Sequence, residues 1–323
     1  MKAAIRDDRG LAFAERPRPT PGPEDVLVRV RAVALNRADL GVLTGHMHGN
    51  IGGPGTVLGM EFAGEVVSVG AHVSTLQPGD PVMGFGAAAF AGYVLADYGC
   101  VYPVPAGLGF EQAAALPVGL QTMHDALIVN GRLSAGESVL ILGASSGVGL
   151  MAQRIARKMG AGLVIGSSTR ADRRARIGEF GADLVIDSAD PAWPDEVREA
   201  TGGKGVDLII DQLSGATVNA SMMAAAVGAR IVNVGRLAGA RGEFDFDLHA
   251  LKRIFYIGVT HRTRSLAELR EECRKTWEDL ASSVADGYLA LPISATFPFE
   301  RLGEAFDTMR SNRHFGKIIV TLS

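Results

Sequence analysis

The chain has 323 residues, 47% of them hydrophobic and 21% charged, which is long enough for two domains and a sizeable core. Its 32 basic and 35 acidic side chains leave a net charge of −3, so nucleic acid is not expected as a partner on bulk electrostatics. The two cysteines, Cys100 and Cys273, make neither a disulfide framework nor a cysteine-based zinc site and read as inert, partly buried thiols.

The first residues, MKAAIRDDRG, lack the apolar core of a signal peptide, and no run approaches the ~18 apolar residues of a membrane span. A cytoplasmic chain with no membrane partner is expected. From Met1 to about Ala114 the sequence is strand-like and rich in Gly and Pro. DVLVRVRAVALN, from Asp25, alternates apolar and charged residues, EFAGEVVSVG and AGYVLADYG are further short β runs, and TPGPED and QPGD mark turns. This part reads as an all-β, partly open barrel.

From about Glu111 the rhythm changes. FEQAAALPVGLQTMHDALIV is helical in pattern, with a proline interruption. Strands and helices then alternate: the strand at Val139 with the helix Val148–Met159, GLVIGSS with RADRRARIGEFG, GVDLIIDQ with ATVNASMMAAAVG, and ARIVNVG followed by IFYIGVT. That alternation predicts an α/β domain with a doubly wound, Rossmann-type parallel sheet. A long amphipathic helix is predicted over 265–286, and the tail after Ala295 ends in a strand.

The segment ILGASSGVGLMAQRIARKMGA, Ile141–Ala161, carries the chemistry. A wholly apolar strand runs into a Gly-rich turn and then a helix, the arrangement that presents backbone N–H groups and a positive dipole end to a pyrophosphate. In the G-x-G-x-x-G register the three positions are Ala144, Ser146 and Gly149, so two of the three glycines are replaced. Ala144, Ser146, Gly147, Val148 and Gly149 are the candidate contacts of this turn. About twenty residues further on, where an acid would bind the ribose of NAD, stand Ser167 and Ser168, followed by Arg170 and Arg173. Hydroxyls and guanidinium groups suit a 2′-phosphate, so NADPH is expected rather than NADH. Arg174 and Arg176 also read as a solvated helix face.

The order of β-barrel, nucleotide-binding sheet and C-terminal return, together with ALNRADLGVLTG, LGMEFAGEVVSVG, QPGDPVMGF, LPVGLQTMHDAL, GASSGVGLMAQRIARKMGA, GADLVIDSADPAWPDEV, TGGKGVDLIIDQ and RHFGKIIV, resembles the medium-chain dehydrogenase/reductase superfamily along nearly the whole chain. The nearest branch is the zinc-free quinone-oxidoreductase-like group of zeta-crystallin-type proteins and enoyl reductases. The resemblance implies a GroES-like catalytic domain over 1–115, completed by 262–323, and an NADP-binding Rossmann domain over 116–261. Where zinc-dependent members carry their ligands, this chain has Asn36 with Asp39, Met60 with Glu61, and Leu116-Pro117-Val118, so no metal is expected. His46, His48 and His124 are better read as solvated loop histidines than as ligands.

The resemblance also places Asn36 and Asp39 in the catalytic machinery, Asn36 and Thr122 near the nicotinamide ribose and pyrophosphate, and Gly235 against the carboxamide. It has Phe315, Gly316 and Lys317 close the cofactor cleft; Lys317 also reads as a strand-edge charge. Arg37 stands where many relatives have a tyrosine. It is a poor proton donor but suits an anionic substrate group, and Tyr93, Tyr98 and His261 remain open as substitutes. The Gly-rich loop GHMHGNIGGPGT is where a substrate would be met. Without a Lewis acid on the oxygen, reduction of a quinone or of a C=C bond conjugated to a carbonyl is favoured over alcohol oxidation. The expected function is NADPH-dependent reduction of such a small molecule by a homodimer. A dedicated enoyl-thioester or biosynthetic double-bond reductase is the second reading. An NADPH-holding, crystallin-like or RNA-associated protein with little turnover is the third.

Overall fold

The structure, a computed structural model, describes residues 1–49 and 52–323. The chain divides into two compact units, Met1–Gln121 with His261–Ser323, and Thr122–Thr260. The sequence-based divisions, after 115 and after 261, fall six residues earlier and one residue later than these.

In chain order the first unit begins with β1 (Lys2–Asp7), β2 (Gly10–Glu15), β3 (Asp25–Ala34), β4 (Glu61–Val69), β5 (Pro81–Phe85), β6 (Tyr93–Asp97) and β7 (Val101–Pro103). The second unit contributes β8 (Ser138–Leu142), β9 (Leu163–Ser167), β10 (Leu184–Ile186), β11 (Val206–Asp211), β12 (Ala225–Asn233) and β13 (Phe255–Gly258). The first unit is completed by β14 (Ile293–Pro298) and β15 (Lys317–Thr321).

In the first unit β1 and β2 form a hairpin, and a seven-stranded sheet runs β14-β15-β3-β4-β5-β7, with β6 paired to β3. β3 is the spine. It pairs antiparallel with β4, β6 and β15, which ties the C-terminal strands to the N-terminal sheet. Its valines Val26, Val28, Val30 and Val33 pack with Leu35, Phe62, Phe90 and Phe306 in one buried core. The helix Leu266–Ala285 begins with a capping box between Ser265 and Glu268 and buries Cys273, Thr276, Leu280 and Val284, one helical stripe.

The second unit is a six-stranded parallel sheet in the order β10-β9-β8-β11-β12-β13. The chain moves outward from β8 through β9 to β10, then crosses back to β11. The strand order therefore reverses between β8 and β11, and in such sheets ligands bind beyond the carboxyl ends of the strands at that point. The amphipathic helix Gly147–Lys158 buries Leu150, Met151, Ala152, Ile155 and Ala156, and the chain turns at Gly160, whose φ is +89°.

Two elements differ from the expectation. The helix expected over ATVNASMMAAAVG ends at Ala224, and β12 begins at Ala225. Alanines that propensity assigns to a helix become strand because their backbone pairs with β11 at Val206, before the register shifts. A helix, Phe246–Lys252, also stands between β12 and β13, where none was expected. None of its residues is fully buried, and Leu248 packs against the core of this unit only partly buried. No helix among the described residues is long and apolar enough to cross a membrane.

Candidate active site

In the second unit, β8 opens into its turn at Gly143, whose N–H donates to Ser167 Oγ at 3.1 Å, while Ala144 N–H donates to the Ser167 carbonyl at 2.9 Å. These bonds pin the turn to the end of β9. Ser146 caps the helix, accepting from Gly149 N–H at 3.0 Å. The N–H groups of Gly147 and Val148 are then the ones a phosphate oxygen would meet. A Cβ on Gly149 would lie 2.5 Å from the Gly143 oxygen and 2.7 Å from Ala144 Cα, so only glycine lets the helix start this close to the strand.

Two residues that sequence reasoning missed complete this cradle. Ser145 Oγ lies 3.2 Å from Ser168 Oγ, with both residues buried. Gln212 clamps the turn, its Nε2 donating to the Leu142 carbonyl at 3.0 Å and its Oε1 lying 3.0 Å from Ser146 Oγ. Ser145 was legible as another hydroxyl of the same turn. Gln212 was not, because its partners come from a strand remote in sequence. Arg173 is buried, on the helix Ala171–Ile177 that follows β9. Arg170 instead grips Asp172 with both arms, at 3.0 and 2.8 Å. Arg174, which the sequence also offered as a solvated face, bonds the Ser168 carbonyl at 3.0 Å and Asp187 at 2.9 Å. Buried hydroxyls, a helix N-terminus, a buried guanidinium and no carboxylate at the end of β9 form a donor set that fits a phosphorylated dinucleotide.

Thr122 is half-buried in the helix Pro117–His124. Gly235 follows β12 so closely packed that a Cβ would lie 2.6 Å from the Gln212 carbonyl oxygen, and its own carbonyl accepts from Ser214 Oγ at 2.6 Å.

The first unit gathers the other predicted residues around one carboxylate. Glu61 is fully buried. Its Oε1 accepts from Asn36 Nδ2 at 2.8 Å and pairs with the Lys317 ammonium, while its Oε2 accepts from Val118 N–H at 2.9 Å. Lys317 Nζ also donates to Asn36 Oδ1 at 3.0 Å. The three places at which the resemblance would seat metal ligands thus converge, but they supply an amide, a carboxylate and a backbone N–H with an ammonium among them. That donor set does not fit zinc, which needs several N, S or O ligands lacking a competing cation. Lys317, read from sequence also as an edge charge, is only 4% exposed. Gly316 delivers it with φ +88°, at a spot where any Cβ would overlap the Pro292 carbonyl. Phe315 beside it is buried.

Asp39 is buried and accepts from Asn36 N–H at 2.7 Å, capping the helix Arg37–Leu43. Burial pushes its carboxyl up to about 7, with the Glu61 charge adding to the rise and the Asn36 N–H and Lys317 opposing it. The bond it makes in the structure is to the Asn36 backbone.

Arg37 is spoken for. It donates to the Met309 carbonyl at 3.3 Å and Asn312 Oδ1 at 2.9 Å, closing off the helix Leu302–Arg310. Among the substitute donors, Tyr93 lies under Arg18 and Tyr98 under Arg270, at 4.2 and 4.7 Å, while His261 Nε2 is 2.7 Å from Glu272 Oε1. His124 departs from the solvated-loop expectation, being buried at the end of a helix. His46 is exposed. His48 is half-buried, its proton affinity lowered by burial and by the positive charges of Arg262 and His261. Within the Gly-rich loop, Asn50 and Ile51 lie outside the described residues.

A parallel sheet with a phosphate cradle and a β-rich unit with a buried amide–carboxylate–ammonium cluster are the two parts of a dinucleotide-dependent dehydrogenase or reductase. Comparison with known proteins agrees. The alcohol dehydrogenase GroES-like domain matches residues 22–106, and the zinc-binding dehydrogenase family matches residues 147–282. Quinone oxidoreductase of Rattus norvegicus is 30% identical over 309 residues, covering 94% of this chain and 91% of that protein. A phenolphthiocerol/phthiocerol polyketide synthase of Mycobacterium tuberculosis is 31% identical over 313 residues, covering 97% of this chain. The chain spans only 14% of that synthase's length. The crystal structure of CurK enoyl reductase has a TM-score of 0.88 at 25% identity, covering 100% of this chain and 99% of that one. The chain belongs to the medium-chain dehydrogenase/reductase superfamily, in its quinone-oxidoreductase-like branch, and is an oxidoreductase of that family.

Proposed function

We propose that this chain is an NADPH-dependent reductase of quinones or α,β-unsaturated carbonyl compounds that works without zinc. The cradle around Ser145, Ser146, Ser168 and Arg173 supports a cofactor bearing a 2′-phosphate. A reduced nicotinamide held there supplies a hydride.

The observation that carries the substrate class is the locked amide of Asn36. Its oxygen is taken by Lys317 and one Nδ2 hydrogen by Glu61. Among the described residues the other Nδ2 hydrogen meets only the Ala34 carbonyl, at a long 3.5 Å, and we assign that donor to a substrate oxygen. One neutral donor suffices for an oxygen whose developing charge spreads into an enolate or quinol. It does not suffice for a localised alkoxide at neutral pH, which needs a metal or a strong base. Glu61 and Lys317 hold the amide, and Asp39 fixes the backbone beneath it.

The second reading, an enoyl-thioester reductase, draws on the alignment of 97% of this chain with a stretch of a polyketide synthase. Steady-state assays with NADPH against quinones, enones and enoyl thioesters, with and without a chelator, separate the two. Oxidation of simple alcohols with NADP⁺, with no reduction of any member of the panel, would overturn both.

A further inference from the structure

Of the residues that the sequence offers as proton donors in place of Arg37, Tyr93 and Tyr98 lie under arginines, and His261 is built into a dyad. His261 Nε2 lies 2.7 Å from Glu272 Oε1, and Arg264 Nη1 lies 2.7 Å from the other oxygen of the same carboxylate. The Glu272 side chain is only 2% exposed, so the imidazole is anchored to a buried group. A carboxylate paired with an arginine can only accept, which makes Nε2 the donor and leaves Nδ1 as the working nitrogen. Nδ1 makes no hydrogen bond among the described residues, and 26% of the side chain is open to solvent.

The imidazole also has a defined place beside the Asn36 cluster. Its ring packs on Phe85, with 5.9 Å between centroids. Phe85 on β5 is the cross-strand partner of Glu61 on β4. Paired residues of antiparallel strands project from the same face of the sheet, with Cβ atoms about 5 Å apart. Phe85 therefore stands between His261 and the carboxylate that holds the Asn36 amide at 2.8 Å. The Gly-rich loop approaches the same place: a Cβ on Gly49 would lie 3.6 Å from the carbonyl oxygen of Arg262, the residue next to His261.

We propose that His261 is the general acid of the reduction, that Glu272 is its positioning residue, and that the substrate lies on Phe85 between the Asn36 amide and the imidazole.

This inference rests on the reductase reading above and deepens it. Hydride arriving at the β-carbon of an enone moves the C=C electron pair towards the α-carbon and the oxygen held by Asn36. That pair then forms a C–H bond at the α-carbon, the Nδ1–H bond of the imidazolium breaks, and its electrons stay on nitrogen. For a quinone, the anion left by hydride transfer takes the same proton on oxygen. Glu272 stabilises the imidazolium before the transfer, and solvent returns a proton to Nδ1 through the open edge of the ring.

The test uses the full chain with NADPH and the panel of quinones and enones. His261→Ala should lower kcat by roughly 100–10,000-fold, the range of a lost general acid, with the unfolding midpoint close to that of wild type. Added imidazole should restore part of the lost turnover in His261→Ala and leave wild type unchanged. Glu272→Gln, which keeps the ring but not its counter-charge, should lower kcat without changing the substrate KM, a split that a purely structural role would not give. Undiminished turnover in His261→Ala, or a loss that imidazole leaves untouched, would overturn the assignment while the wild-type rate still supports the reductase reading. A wild type that reduces no member of the panel would overturn both.

Discussion

The ammonium of Lys317 lies 3.0 Å from the side-chain oxygen of Asn36, joining the last strand to the loop after β3. Both groups rest on Glu61, so the cluster stands on one buried carboxylate. Glu61→Gln would leave the ammonium without its counter-charge and should cost about 3–5 kcal/mol in urea unfolding. Pairing it with Lys317→Met should recover most of that loss. A single variant as stable as wild type would mean the ion pair is not shielded from water.

Asn36→Ala removes the proposed donor but not the carboxylate–ammonium pair. Turnover should fall by roughly 10–1000-fold, the scale of a lost oxyanion donor, while the unfolding midpoint changes little. A loss confined to KM would reassign Asn36 to binding alone.

The fold was legible because its signals are local: apolar runs for β8 and β11, alternation for β3, and a Gly-rich turn between β8 and its helix. The phosphate cradle was legible in outline for the same reason. Glu61 stands out in the sequence only as the neighbour of a missing ligand. Its role depends on Asn36, Val118 and Lys317 converging from distant points of the chain, and no spacing records that. The partners of Arg37 were equally hidden: it donates to a helix-end carbonyl and an amide contributed from residues 309 and 312.

Asp39 gives the stability a pH dependence of unusual sign for a carboxylate. Its folded value, raised to about 7, exceeds the unfolded value, so the native state holds the proton more tightly. Its contribution is fully present below about pH 4 and is lost as the pH rises towards 7, at ~4 kcal/mol at most. Asp39→Asn keeps an oxygen for the Asn36 N–H and cannot ionise. Urea titrations at pH 5 and pH 8 should show wild type losing more stability than Asp39→Asn across that interval. Parallel behaviour of the two proteins would place the titration elsewhere.

β13 forms the edge of the six-stranded sheet, pairing only with β12 among the described residues, and its Phe255 and Tyr256 are 55% and 38% exposed. Such an edge invites pairing with a second copy, and a two-fold dimer closes it. Light scattering at micromolar concentration should give a dimer, and Phe255→Asp should weaken it. A monomeric wild type would refute the assembly.

The cofactor assignment separates two arginines that sequence treated alike. Arg173 is buried beside the end of β9, whereas Arg170 is engaged with Asp172 at the surface. If Arg173 holds a 2′-phosphate, it loses a charged hydrogen bond on substitution, worth about 1.5–3 kcal/mol. Arg173→Ala should therefore weaken NADPH binding by roughly tenfold or more, leave NADH almost unchanged, and so lower the preference between them. Arg170→Ala would break only an exposed ion pair, of the kind worth ~1 kcal/mol or less, and should move neither affinity appreciably. Calorimetric titration of both cofactors into both variants reads the difference directly. Equal losses for NADPH and NADH in Arg173→Ala would assign that residue to the helix rather than to the phosphate. A selective loss in Arg170→Ala would show that its bond to Asp172 opens when the cofactor binds.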